Sequence, residues 1–120
     1  MNPNNYASLE ASQRLLSSGI VLKTEVRWYR YKGIWSEHSY PYKTIEEISI
    51  PRPSMAEAWR ELPDSIDGTF EDQMADTYEL MIGKTGGIAY AGYFAHEQFE
   101  NTNPTDALID LLIHIRKEAT

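Results

Sequence analysis

The stretch that most constrains the fold is the last, Asn101 to Glu118, reading NTNPTDALIDLLIHIRKE. Asn103 stands where an N-cap belongs, with Pro104 pre-set for the first helical position and Asp106 in the first turn. The macrodipole favours an acid there, and it favours Arg116 and Lys117 at the far end. Leu108, Leu111, Leu112 and Ile115 fall at i, i+3, i+4 and i+7, flanked by Ala107, Ile109 and Ile113. Seven apolar residues in nine positions make a stripe too wide for one seam. Such a helix is expected to lie mostly buried on the face of a sheet.

Ahead of it the chain alternates between helix and strand signals. Residues 1–5 read as a frayed tail, and a first helix is expected from about Tyr6 to Ser17, stopped by Gly19. The run IVLKTEVRWYRYK alternates with period two: Ile20, Leu22, Thr24, Val26 and Trp28 share one face, and Lys23, Glu25 and Arg27 the other. Lys32-Gly33 then predicts a hairpin turn into IWSEHSYPY, a strand that Pro41 confines to an edge or an end. Ile45, Ile48 and Ile50 form a short extended segment closed by Pro51 and Pro53. Ser54 and Glu57 make a capping box for a short helix, MAEAWRELP, with Met55, Trp59 and Leu62 on one face.

Residues 64–76 read as an acidic loop. Beyond them TYELMIGK and IAYAGYFA form a second hairpin around Gly86-Gly87, in which Ile88, Tyr90 and Phe94 face one way and Tyr93 the other. The small residues Ala89, Ala91, Gly92 and Ala95 predict close approach by a packed helix, and Phe99 ends a short last strand. The expected fold is a single α+β domain over residues 1–120. Its antiparallel sheet of about four to five strands, built on two hairpins, packs against the N- and C-terminal helices, with a short middle helix between them.

Charge and composition narrow the function classes. Eighteen acids against eleven bases leave a net charge of −7, which disfavours direct binding to nucleic acid. With no Cys, thiolate chemistry and Cys-based zinc sites are excluded. The N-terminus lacks the basic and apolar regions of a secretory signal, and no apolar run approaches the roughly 20 residues that span a bilayer. A cytoplasmic protein without membrane contact is the expectation.

No segment carries a catalytic signature. Gly83-Lys84-Thr85 resembles the end of a P-loop, but Tyr78 occupies the position of its first Gly, and a Gly-Gly turn follows where a helix should start. His38, His96 and His114 are scattered. Asp110 and His114, one helical turn apart, read more readily as a surface hydrogen-bonded pair than as ligands without a third partner. No Ser lies in a nucleophile-elbow spacing. Catalytic residues, metal ligands and cofactors are accordingly expected to be none.

Two stretches stand out as contact surfaces. The first is the aromatic hairpin with Tyr29, Tyr31, Trp35, Tyr40 and Tyr42, which either stabilises the sheet through cross-strand pairs or presents anchors to a partner. Only Arg27, Arg30, Lys32 and Lys43 supply positive charge there, so base stacking is the least favoured use. The second is the acidic stretch from Glu57 to Glu79, eight acids with Arg60 as the single base. It is either a solvated loop or a surface offered to a basic partner. Tyr29, Tyr31, Trp35, Glu71, Asp72 and Asp76 are the candidate partner-binding residues.

Three segments, RLLSSGIVLKTEVRWYR, IPRPSMAEAWRELP and NTNPTDALIDLLIHIRKE, together resemble a group of small uncharacterised proteins of phages, prophages and bacterial genomes. In that group a helix with a Gly-Ile turn leads into a Trp-bearing strand, a Pro-rich stretch opens a short helix ending in Leu-Pro, and an Asn-Pro-capped helix closes the chain. The resemblance covers most of the chain. It implies a phage or mobile-element setting and no assigned activity. The expected function is a non-catalytic interaction or accessory protein that contacts a protein partner or itself. The alternatives are an acidic decoy of a nucleic-acid-binding enzyme and, last, a small enzyme.

Overall fold

The structure is a computed structural model and describes residues 2–39, 47–67, 77–93 and 98–118. A 3-10 turn, Pro3–Asn5, leads to α1 (Leu9–Ser17), β1 (Val26–Tyr31), β2 (Ile34–Ser36) and β3 (Ile48–Arg52). Then follow α2 (Met55–Glu61), β4 (Ser65–Asp67), β5 (Thr77–Thr85), β6 (Ile88–Tyr93), β7 (Gln98–Asn101) and α3 (Pro104–Glu118). The fold is α+β, as the element pattern predicts.

Both expected hairpins form. Lys32-Gly33 and Gly86-Gly87 hold positive φ at both central positions, 50° and 80° in the first and 61° and 83° in the second, as a type I′ turn requires. The sheet expectation needs correcting, however. Instead of one sheet of four to five strands, the described residues form two, both antiparallel. The first has the order β2-β1-β3. The body of the second is β5-β6-β7, extended by β4, which pairs with residues 77–79 of β5 while β6 pairs with residues 80–85. Each hairpin recruits its own further strands, so neither edge of one meets the other.

The last helix is the keystone that its stripe predicts. Ala107, Leu108, Ile109, Leu111 and Leu112 are buried, because α3 packs on β6 and β7 and also meets α1 and α2. Ala89 and Ala91 are buried beneath it, consistent with the close approach expected of small residues. Asn103 Oδ1 accepts the Thr105 and Asp106 backbone N–H groups at 2.8 and 3.3 Å, which is the expected cap. Tyr93 is buried on the same sheet face, and its hydroxyl donates to the Pro63 carbonyl at 2.6 Å. Burial first, then the negative charge of Asp64, pushes its phenol up from 10.0 to about 12.

Four local expectations are corrected. Residues 2–5 are not a frayed tail: Thr105 Oγ1 donates to Asn4 O at 2.8 Å, Asn103 Nδ2 donates to Tyr6 O at 3.0 Å, and Tyr6 bridges to Ser54. The first helix begins at Leu9 because Ser8, in extended backbone, accepts the Ala11 N–H. It ends as expected at Gly19 (φ 83°), where Gly19 N–H donates to Leu16 O and Ile20 N–H to Leu15 O in a Schellman pattern.

The third correction is that residues 20–25 are not strand. Leu22 turns into the core while Val21 stays 73% exposed, and side chains replace ladder bonds: Thr24 Oγ1 donates to Val26 O, and Glu25 N–H to Glu57 Oε2. The fourth concerns the acidic loop, which contains β4. The capping box at Ser54 and Glu57 forms as expected, and β3 runs through Pro51 to Arg52, tolerable at the edge of a ladder.

Candidate binding surface

The register of the first sheet sorts its side chains. Tyr29 pairs with Ser36 and Tyr31 with Ile34, which puts these four and Arg27 on one face. Arg30 pairs with Trp35 and with Ile48, Trp28 with Ile50, and Val26 with Arg52, on the opposite face. The candidates Tyr29 and Tyr31 therefore share a surface, and Trp35 points away from them.

On the second of these faces the sequence reading missed a residue. Arg52 is only 2% exposed. Its guanidinium lies 4.2 Å from the Trp28 ring centroid and 5.3 Å from that of Tyr6, its Nε donates to Ala7 O at 3.2 Å, and its Nη1 meets Glu37 Oε1 at 3.2 Å. It thereby ties β3 to β1, to the N-terminal segment and to the residue after β2. The signal lies in the sequence: Ile48, Ile50 and Arg52 alternate onto one face, and β3 continues through Pro51 to Arg52 rather than closing with the isoleucines. Trp28 Nε1 beside it is buried and has no hydrogen-bond partner among the described residues.

The first face is the open one. Tyr29, Tyr31, Lys32, Ile34, Ser36, His38 and Glu47 line a cleft of about 380 Å³. Ile34 is 72% exposed at its rim. Lys32 Nζ lies 5.4 Å from the Tyr31 ring centroid, and on the other face the Arg30 guanidinium lies 5.5 Å from that of Trp35. β3 is the strand that meets α1, and β1 and β2 lie successively further from that helix. Of the other aromatic and acidic candidates, Tyr40, Tyr42, Glu71, Asp72 and Asp76 lie outside the described residues.

A second apolar surface was not expected. Met55, Trp59 and Leu62 share one helix face by their spacing, and of these Leu62 is buried while Trp59 is 40% exposed. With Tyr6, Met55, Ala56 and Ile82 it lines a groove of about 400 Å³ between α2, the N-terminal segment and β5.

Of the residues considered for chemistry, Asp110 and His114 line a shallow cleft of about 880 Å³ together with Glu10 and Arg14, but they do not pair with each other. Asp110 accepts from Arg14 of α1 at 2.9 and 3.2 Å, while the His114 ring packs against Phe99 with centroids 5.3 Å apart. His38 is exposed in the hairpin cleft, and His96 lies outside the described residues. Among the described residues no three His, Asp or Glu side chains are placed to hold a metal ion. Gly83-Lys84-Thr85 lies in β5, and Gly83 leaves the space in which the Tyr90 phenol lies across it. Among the described residues no helix is long and apolar enough to cross a membrane.

Comparison with protein-family models, with curated proteins and with solved structures gives no match to this chain.

Proposed function

We propose that the protein is a non-catalytic binding module that contacts a protein partner through the open face of its first sheet. The observation that carries this reading is Ile34, 72% exposed beside Tyr29 and Tyr31 at the rim of one cleft. A lone exposed Ile would need no explanation, but an apolar residue grouped with two tyrosines around a concavity has the composition of an interface anchor. The resemblance of three segments to phage and prophage proteins supplies the setting, an accessory protein of a mobile element. The decoy alternative rests on Glu71, Asp72 and Asp76, and no observation among the described residues favours it.

The test is capture of partners by the tagged chain with Ile34 intact and with Ile34→Glu. Because Ile34 lies at an exposed strand end, Ile34→Glu is expected to shift stability by less than about 0.5 kcal/mol. It is also expected to remove any partner bound through this face. Retained capture by a folded Ile34→Glu protein would count against the reading.

A further inference from the structure

We infer that the open hairpin face takes an acidic protein segment carrying one bulky apolar side chain. This rests on the binding role proposed above and names the chemistry of its partner. The charge of the chain is segregated. Residues 23–43 carry five bases and two acids, whereas the rest carries six bases and sixteen acids. The strands of the first sheet and the turn between β1 and β2 carry Arg27, Arg30, Lys32 and Arg52 and no acid, so a basic, aromatic sheet is attached to a strongly acidic body.

Apart from Arg52, the cations of that sheet and its turn have no acid partner among the described residues. Arg14, Arg52 and Arg116 are each paired with a carboxylate, at 2.9, 3.2 and 3.2 Å. Arg27, Arg30 and Lys32 have no carboxylate partner among the described residues. Arg27 donates to the Ser49 hydroxyl at 2.9 Å, and Arg30 and Lys32 lie over aromatic rings. A chain with seven acids in excess could have paired them.

Lys32 adds a second indication. It is the one non-Gly residue with positive φ among the described residues, in a turn position that Gly or Asn fills with less strain. A strained residue that carries a charge at the mouth of a cleft is more readily explained by what it contacts than by the turn it makes.

The cleft itself divides the ligand's chemistry. Tyr29, Tyr31 and Ile34 offer apolar surface in a space suited to one large side chain. Lys32 supplies positive charge at its edge, and Arg27 supplies more on the same sheet face. Glu47, which accepts from Ser39 Oγ at 2.9 Å, forms part of the wall, so the ligand's acids belong on the side of Lys32 and Arg27. A nucleic acid is disfavoured because its phosphates would continue past the hairpin along the acidic body. A short acidic segment ends before it gets there.

The experiment is fluorescence anisotropy of the full chain with three synthetic peptides of about 12 residues, a length that covers a standard peptide groove. One has a central Phe flanked by Asp and Glu, one replaces the acids with Asn and Gln, and one replaces Phe with Ala. Only the first is expected to bind. Its affinity should fall about tenfold between roughly 50 and 200 mM salt, and at least about tenfold on Lys32→Glu or Arg27→Gln, whose side chains share the face of the cleft. Lys32→Asn should weaken binding while raising the urea midpoint, which separates lost recognition from lost folding.

Equal binding of the neutral peptide, or no binding of any peptide, would overturn the inference. So would preferential binding of a single-stranded oligonucleotide, or salt-sensitive self-association through the same residues. If Ile34→Glu abolishes partner capture while the charge variants do not, the acid preference fails and the binding role stands.

Discussion

Arg52 shows how a buried charge is held from several sides at once. Its acid, Glu37, stays 46% exposed, and the low-exposure side of the guanidinium is covered by the Trp28 and Tyr6 rings and by the Ala7 carbonyl. Arg52→Ala removes the packing of both rings and the donor to Ala7, and is expected to cost about 3 kcal/mol in urea unfolding. Arg52→Met keeps most of the volume and leaves a half-hydrated Glu37 behind, so about 1 kcal/mol is expected. Equal costs for the two would mean that the charge, rather than the volume, holds this corner.

Tyr93 tests burial differently. The unfolded phenol ionises near 10.0 and the folded one near about 12, so the folded state holds the proton across that window. Its stabilising share is complete below pH 10 and is lost as pH rises toward 12. Tyr93→Phe should flatten this alkaline decline and cost about 1 kcal/mol at neutral pH for the lost bond to Pro63. An unchanged alkaline slope would contradict the assignment.

At the scale of elements, what the sequence revealed was local. The Asn-Pro start of α3, the Ser54–Glu57 box, the Gly19 stop and the two I′ turns each sit within a few residues of the signal that announces them. What it hid depended on distant partners. Residues 2–5 are ordered by Asn103 and Thr105, about a hundred positions away, and β4 is too short to show any periodicity. The alternation from Ile20 to Val26 looked like strand, yet a helix stop and the carboxylate of Glu57 had already claimed that backbone.

Of the candidate site, the aromatic composition was legible and its division between two faces was not, since that follows only from register. The cap of α3 carries a matching test. Asn103→Ala removes both the cap and the donor to Tyr6, with about 1–2 kcal/mol expected. Asn103→Ser keeps a cap oxygen and should recover about half. If Ser recovered nothing, the link to Tyr6 would be the dominant role.

As a whole, the molecule extends 58 Å along its longest axis and only 19 Å along its shortest, with helices concentrated on the second sheet and on β3. Among the described residues, an apolar concavity lies on the basic hairpin and another between α2 and β5, and either could serve the proposed binding role. The choice between them can be made by placing a photocrosslinking phenylalanine derivative at position 34 or position 82 and irradiating the chain with its captured partners. Adducts from position 34 with little or none from position 82 are expected. Adducts from position 82 alone would show that the groove around Trp59, and not the hairpin, meets the partner.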